Sequence, residues 1–403
     1  MKISKISSLL LLLTGLLAGN RLEAEVFRFQ YVSGAKFRAV AQVDETVIQR
    51  YGRQQAVQQS ELRYKIAYTI KDVRGETGEL EGVFQIANRS TGDAGVYQWS
   101  EEHPTAYRRN AYGEMDVPDR YSFPVVRGVP RFPERDVAPG ETWVGVGEEV
   151  HDFRDSGSGL GVVRFPINVA YQYLGLEEYK DKMFHAIDAT YQVYHRFPVS
   201  RGLAPEQISG FSAQHLYWDN EKGYLAAYTE EFELVMQLND GTSWIFRGTA
   251  SAEVIQAEKM EKEKVAEEIR NSLEKDKVED SEVRVDEQGI TIALHNIRFL
   301  PDSSRFVPGE EEKIRAVAEI LKRYPDRDVL ITGHTALAGT ESGRERLSLE
   351  RARVTARALI ELGARREDQI VIRGMGAREP VAGNDTEAGR RLNRRVEITL
   401  LEN

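Results

Sequence analysis

The residues of this chain whose types and spacing could do chemistry converge on positions 329–354, VLITGHTALAGTESGRERLSLERARV. Val329, Leu330 and Ile331 form an apolar run that stops at Gly333, the pattern of a short buried strand. A polar loop follows. Ser342 and Glu345 then have the S-x-x-E spacing of a capping box. This predicts a helix from near Gly343 with Leu347, Val354, Ala358 and Leu362 on one face. Arg351 falls one turn beyond Leu347, at the lip of the loop that opens Gly333-His334-Thr335. A guanidinium fixed there is suited to gripping a carboxylate, because its planar fork matches both oxygens. His334 reads as a loop residue making one hydrogen bond.

Other chemistries find no constellation to carry them. The seven histidines show no H-x-x-x-H or similar metal spacing and there is no cysteine, so neither a metal nor a cofactor is expected. Gly157-Ser158-Gly159-Leu160-Gly161 lacks the G-x-x-x-x-G-K pattern of a phosphate cradle and reads as a loop. The acid pairs Glu148-Glu149 and Glu230-Glu231 lie in strand-like segments, where neighbours point to opposite faces, which is poor geometry for acid/base work. A non-enzymatic protein is the expectation. With 54 basic against 64 acidic residues the net charge is -10, which argues against nucleic acid as a partner.

The elements that must position these residues divide the 403-residue chain into four stretches. Residues 1–24 read as a secretory signal, with Lys2 and Lys5 before the apolar run Leu9–Leu17, which is too short to span a bilayer. No transmembrane segment is expected in the mature chain. Residues 25–252 alternate in period two, as in Leu62, Tyr64, Ile66, Tyr68 and Ile70, and Val26–Val32 reads as a strand likewise. An all-β sandwich or open barrel is expected. Its proline-rich stretch Pro104–Pro139 should be an extended cover, since proline cannot complete a ladder, with Trp143 beyond it pointing inward. Residues 253–281, rich in Glu and Lys, read as a charged helical linker with a narrow stripe of Val265, Ile269 and Leu273, acting as a semi-rigid spacer. Residues 282–403 alternate strands and helices: a hairpin at 283–294, a helix at 310–324, then strands at 328–332, 369–373 and 396–401. That order predicts an α+β sandwich with two helices on one face of a mixed sheet.

The strings GHT, LS-x-x-RA and NRRVEI (Asn393–Ile398) closely resemble the OmpA-like C-terminal domain, over residues about 282–403. The resemblance implies a domain that tethers the outer membrane to peptidoglycan. It implies a site that holds the diaminopimelate of the stem peptide through an aspartate after GHT and the arginine of LS-x-x-R. Here Arg351 occupies the arginine position, Ala336 the aspartate position, and Arg344 a position usually held by asparagine. Thr335, Asn393, Arg394 and Arg395 match the pattern. Glu341, Glu345 or Glu350 could replace the missing carboxylate, while Arg394 and Arg395 could simply pair with Asp385 or Glu387. The expectation is an exported structural protein of the cell envelope, periplasmic and outer-membrane-associated, with weak affinity for the peptidoglycan stem peptide. The alternative is a degenerate domain, with the β region binding an envelope protein or a small ligand.

Overall fold

The computed structural model describes residues 24–90, 96–154, 157–255, 260–286, 288–295, 297 and 306–402. All but the last residue of the expected signal therefore lies outside the described residues.

Alternation builds the first region. Strands β1 (Lys36–Tyr51), β2 (Gln54–Arg74), β3 (Thr77–Ser90), β4 (Tyr97–Asn110), β5 (Met115–Asp116), β6 (Val126–Arg127), β7 (Thr142–Asp152), β8 (Val162–Tyr179), β9 (Lys182–Arg196), β10 (Pro205–Asp219), β11 (Tyr224–Leu238) and β12 (Thr242–Ile255) follow in order. Each is antiparallel to its neighbour in sequence, while β12 closes onto β1 and, among the described residues, β5 and β6 do not pair. The result is one continuous curved sheet. β8 shows the cause most plainly: Val163, Phe165, Ile167, Val169, Tyr171 and Tyr173 are buried and every residue between them is exposed.

Two local expectations need correction. Residues 26–32 make no strand. Phe27 and Phe29 are buried as expected, but the backbone bonds to loops instead, Phe29 N–H to the Ala111 carbonyl at 2.8 Å and Gln30 N–H to Gly223 at 3.0 Å. Pro104, expected in a cover, lies inside β4 opposite Val83, where β4 has no second neighbour and a missing N–H is tolerated. β4 runs on to Asn110 and the short strands β5 and β6 also fall in that stretch, the remainder of which is loop, while Phe132 and Trp143 point into the core.

The second region centres on a mixed sheet. It comprises α1 (Lys262–Lys275), β13 (Ser281–Val285), β14 (Gly289–His295), α2 (Glu311–Leu321), β15 (Val329–Gly333), α3 (Glu341–Glu361), β16 (Ile370–Gly374), α4 (Glu387–Asn393) and β17 (Arg395–Leu401). The sheet order is β13–β14–β17–β15–β16, with only β15 and β16 parallel. Helices α1, α2 and α3 share one core with its strands.

The spacer reading of residues 253–281 does not hold. β12 runs to Ile255, and Ala266, Ile269 and Leu273 of α1 are buried against the second region. Lys262 pairs with Glu402 at 2.8 Å, and Tyr324 donates to Glu268 at 2.9 Å. A stripe one residue wide can seat a helix when a complementary groove is present, and a sequence cannot show the groove.

The two regions also touch directly. Tyr97 and Gln98 of β4 pair in parallel with Val371 and Ile372 of β16. Around this junction Ala87, Tyr97, Leu330, Val371 and Leu401 form a small apolar cluster. Beside it, buried Asp328 takes Arg63 and Lys65 of β2, each at 2.9 Å.

Candidate functional site

β15 delivers the loop that follows it, and close packing fixes where that loop emerges. A Cβ on Gly333 would sit 2.0 Å from the Ser348 carbonyl of α3, and one on Gly374 would sit 2.7 Å from the Leu349 nitrogen, so both strand ends accept only glycine at this approach. The loop backbone is then tied in turn: His334 N–H donates to the Arg395 carbonyl at 3.0 Å, and Thr335 N–H to Gly376 at 2.8 Å. Helix α3 starts at Glu341, capped by Thr340, whose hydroxyl accepts from Gly343 N–H at 3.2 Å. Ser342 is therefore inside the helix, and Glu345 pairs with Arg378. The buried face is Ser348, Ala352, Thr355, Ala356 and Leu359, one position on from the face read in the sequence. Leu347 and Arg351 flank that face, half-buried at its rim.

Of the predicted site residues, Thr335 and Ala336 are buried in the loop, and Arg351 lies near enough to Arg394 to feel its charge. Desolvation first, and Arg394 second, pull the Arg351 guanidinium down to about 10. Arg394 reaches Glu387 at 2.6 Å. Asn393 does a different job. Fully buried, its amide oxygen accepts from Val381 and Ala382 N–H at 2.8 and 3.0 Å, and its amide nitrogen donates to the Ala382 carbonyl at 2.8 Å and to Asn384 at 3.1 Å. It shapes the 381–384 loop. Asn384 carries that shape across, accepting from Leu337 N–H at 3.1 Å. The turn string Gly383-Asn384-Asp385 marks a loop, but nothing in its spacing announces a bond to residue 337. The short helix α4, capped by Thr386, was likewise not anticipated.

Arg395 is also internal. Its guanidinium donates to Glu397 at 2.7 Å and to the Glu379 carbonyl at 3.1 Å, and Arg284 reaches the same carboxylate. Burial raises Glu397, yet His334 first and Arg395 second hold it well below the usual carboxylate range. His334 lies 3.7 Å from Glu397, too far for a hydrogen bond, and burial pushes its imidazole down despite that carboxylate. Glu397 is thus already matched from within by Arg284 and Arg395. Among the described residues no group of three or more histidine, aspartate or glutamate side chains could hold a metal ion.

Residues 298–394 match the OmpA family. The chain is 35% identical over 135 residues to "Probable lipoprotein YiaD" of Escherichia coli K12, covering 33% of this chain and 61% of that protein. It is 38% identical over 104 residues to "Peptidoglycan-binding protein ArfA" of Mycobacterium bovis, covering 26% of this chain and 32% of that one. The chain thus spans less than two thirds of the length of either relative. The structure of an outer membrane protein from Borrelia burgdorferi B31 is 34% identical, with a TM-score of 0.26, over 30% of this chain and 96% of that one.

Proposed function

We propose that this is an exported structural protein of the cell envelope whose OmpA-family domain, within residues 282–403, associates weakly with the peptidoglycan stem peptide at the periplasmic side of the outer membrane. The observation that carries the reading is that Arg351 lies half-buried at the rim of α3, near enough to Arg394 to feel its charge. Burial and the nearby charge of Arg394 both weigh on the Arg351 guanidinium, and a carboxylate bound there would offset them. The head group of diaminopimelate is a zwitterion and also asks for an anion. Ala336 offers none. The relatives support the assignment, since one is named for binding peptidoglycan. Arg351 is the ligand residue in this reading, with Thr335 and Arg394 beside it, while Asn393 and Arg395 hold the loops. A second reading, a degenerate domain, draws on the same missing carboxylate and on the pairing of Glu345 with Arg378.

Titration of a diaminopimelate-containing stem peptide into wild type, Arg351→Ala and Ala336→Asp tests both readings. Wild type should bind weakly and Arg351→Ala more weakly still. Ala336→Asp should gain roughly ten- to a hundred-fold, the effect of one charge-assisted hydrogen bond of about 1.5 to 3 kcal/mol. No binding by any of the three would remove the cell-wall reading.

A further inference from the structure

The curved sheet of the first region closes around a cavity of about 520 Å³, within the size range of small-molecule sites. Its walls come from strands on either side of β12: Ala41 and Val43 of β1, Ile66 of β2 and Phe84 of β3 on one side, Phe232 and Leu234 of β11 on the other. Phe123, from the loop between β5 and β6, packs over Phe84 with ring centroids 4.8 Å apart and lies against the same space. Most of this lining is apolar.

Set into it are three carboxylates, Glu45, Glu149 and Glu230. Their arrival together is a consequence of register. Alternation turns Glu149 and Glu230 inward and leaves Glu231 outside, while Glu45 follows Val43 on the inner face of β1. Glu149 accepts from the Tyr191 hydroxyl at 2.8 Å and meets His151 at 2.7 Å. Glu230 accepts from Ser212 at 2.6 Å and Gln214 at 3.2 Å. Those partners are neutral hydroxyls, an amide and a weakly basic imidazole. Arg109, the strong cation on the lining, donates to the Tyr31 hydroxyl at 2.9 Å and lies 3.7 Å over the Phe29 ring, so it is matched elsewhere. A carboxylate in apolar surroundings is costly unless a cation accompanies it. Burial raises both Glu45 and Glu230, as expected of acids without such a partner.

We infer that this cavity binds a cationic amphiphile, an aliphatic chain ending in a primary amine, with the chain along Val43, Ile66, Phe84 and Phe123 and the ammonium among Glu45, Glu149 and Glu230. The phenol rings of Tyr64 and Tyr228 in the same lining offer further faces to a cation. This binding is independent of the cell-wall reading and would stand if that reading fell.

Calorimetric titration of decylamine, decanol and decanoate into the intact protein separates head group from tail. Decylamine should bind at least about ten-fold more tightly than decanol, a factor that corresponds to about 1.4 kcal/mol, and decanoate should bind least. Glu230→Gln and Glu45→Gln, both isosteric, should each shrink the advantage of decylamine over decanol several-fold while leaving decanol unchanged. The inference is overturned if no member of the series binds or if decanoate equals decylamine. It is equally overturned if the amine preference survives in both glutamine variants, which would place the bound amine elsewhere.

Discussion

Around the 334–351 loop the acids are met by guanidiniums: Glu397 by Arg284 and Arg395, Glu387 by Arg394, and Glu345 by Arg378. Inside the β region Glu45, Glu149 and Glu230 line the cavity together with Arg109, and the side chains bonded to Glu149 and Glu230 are hydroxyls, an amide and a histidine. The first arrangement meets its acids with guanidiniums. The second encloses acids without a strong cation beside them. A fold with net charge -10 can therefore match its acids with guanidiniums in one region and enclose acids among neutral neighbours in the other. Where a charge is enclosed matters more than the total.

The comparison treats the regions as separate environments, and the junction at Asp328 is where it breaks most readily. Asp328→Ala would strand Lys65, which burial already pushes down and Asp328 supports, together with Arg63. Breaking such a buried pair costs about 3 to 5 kcal/mol. Chemical denaturation should then show two transitions in place of one, the β region separating from the mixed sheet. An unchanged midpoint would mean that the apolar cluster alone joins them.

A smaller effect, opposite in sign for the two regions, sharpens the contrast. His334 lies below its ordinary value of 6.5 because it is buried, so the unfolded chain takes up that proton first and stability is lost as pH falls below about 6.5. Glu45 and Glu230 lie above 4.5 because they are buried, so the native state takes up protons first and stability is regained as pH falls toward 4.5. Hydrogen exchange at pH 7 and 5.5, corrected for intrinsic rates, should show β15 and β17 losing protection while β1 and β11 gain it. Parallel changes in both regions would contradict the assignment of charge states. The smallest expected effect is local: Thr340→Ala removes the cap of α3 and should cost about 1 kcal/mol, read as a lower thermal midpoint with the β region unaltered.

The legible parts of the fold were those whose cause is local. The apolar run of β15, the hairpin at 283–294 and helix α2 need only their own sequence to be recognised. The cap of α3 fell two residues early because Thr340 and Ser342 are equally able caps and tertiary packing chose between them. What stayed hidden depended on partners far along the chain. The bond between Leu337 and Asn384 joins residues 47 apart, and the docking of α1 needs a groove built by strands that follow it. The acid pairs were dismissed because each one splits across a strand. That argument is correct for a single strand, yet it missed that the inward member of each pair reaches the same cavity once the sheet curls.

The parallel pairing of β4 with β16 also bears on how the second region behaves when released. In its own sheet β16 is bonded on one side by β15, and Ile370, Val371 and Ile372 would otherwise display a row of open backbone donors and acceptors beside β-branched side chains. Such a border invites another strand. Within the intact chain, β4 and Tyr97 occupy part of that place. A fragment beginning after β12 would lack them, and its natural substitute is the same border of a second copy, so the fragment should associate with itself in solution more than the intact protein.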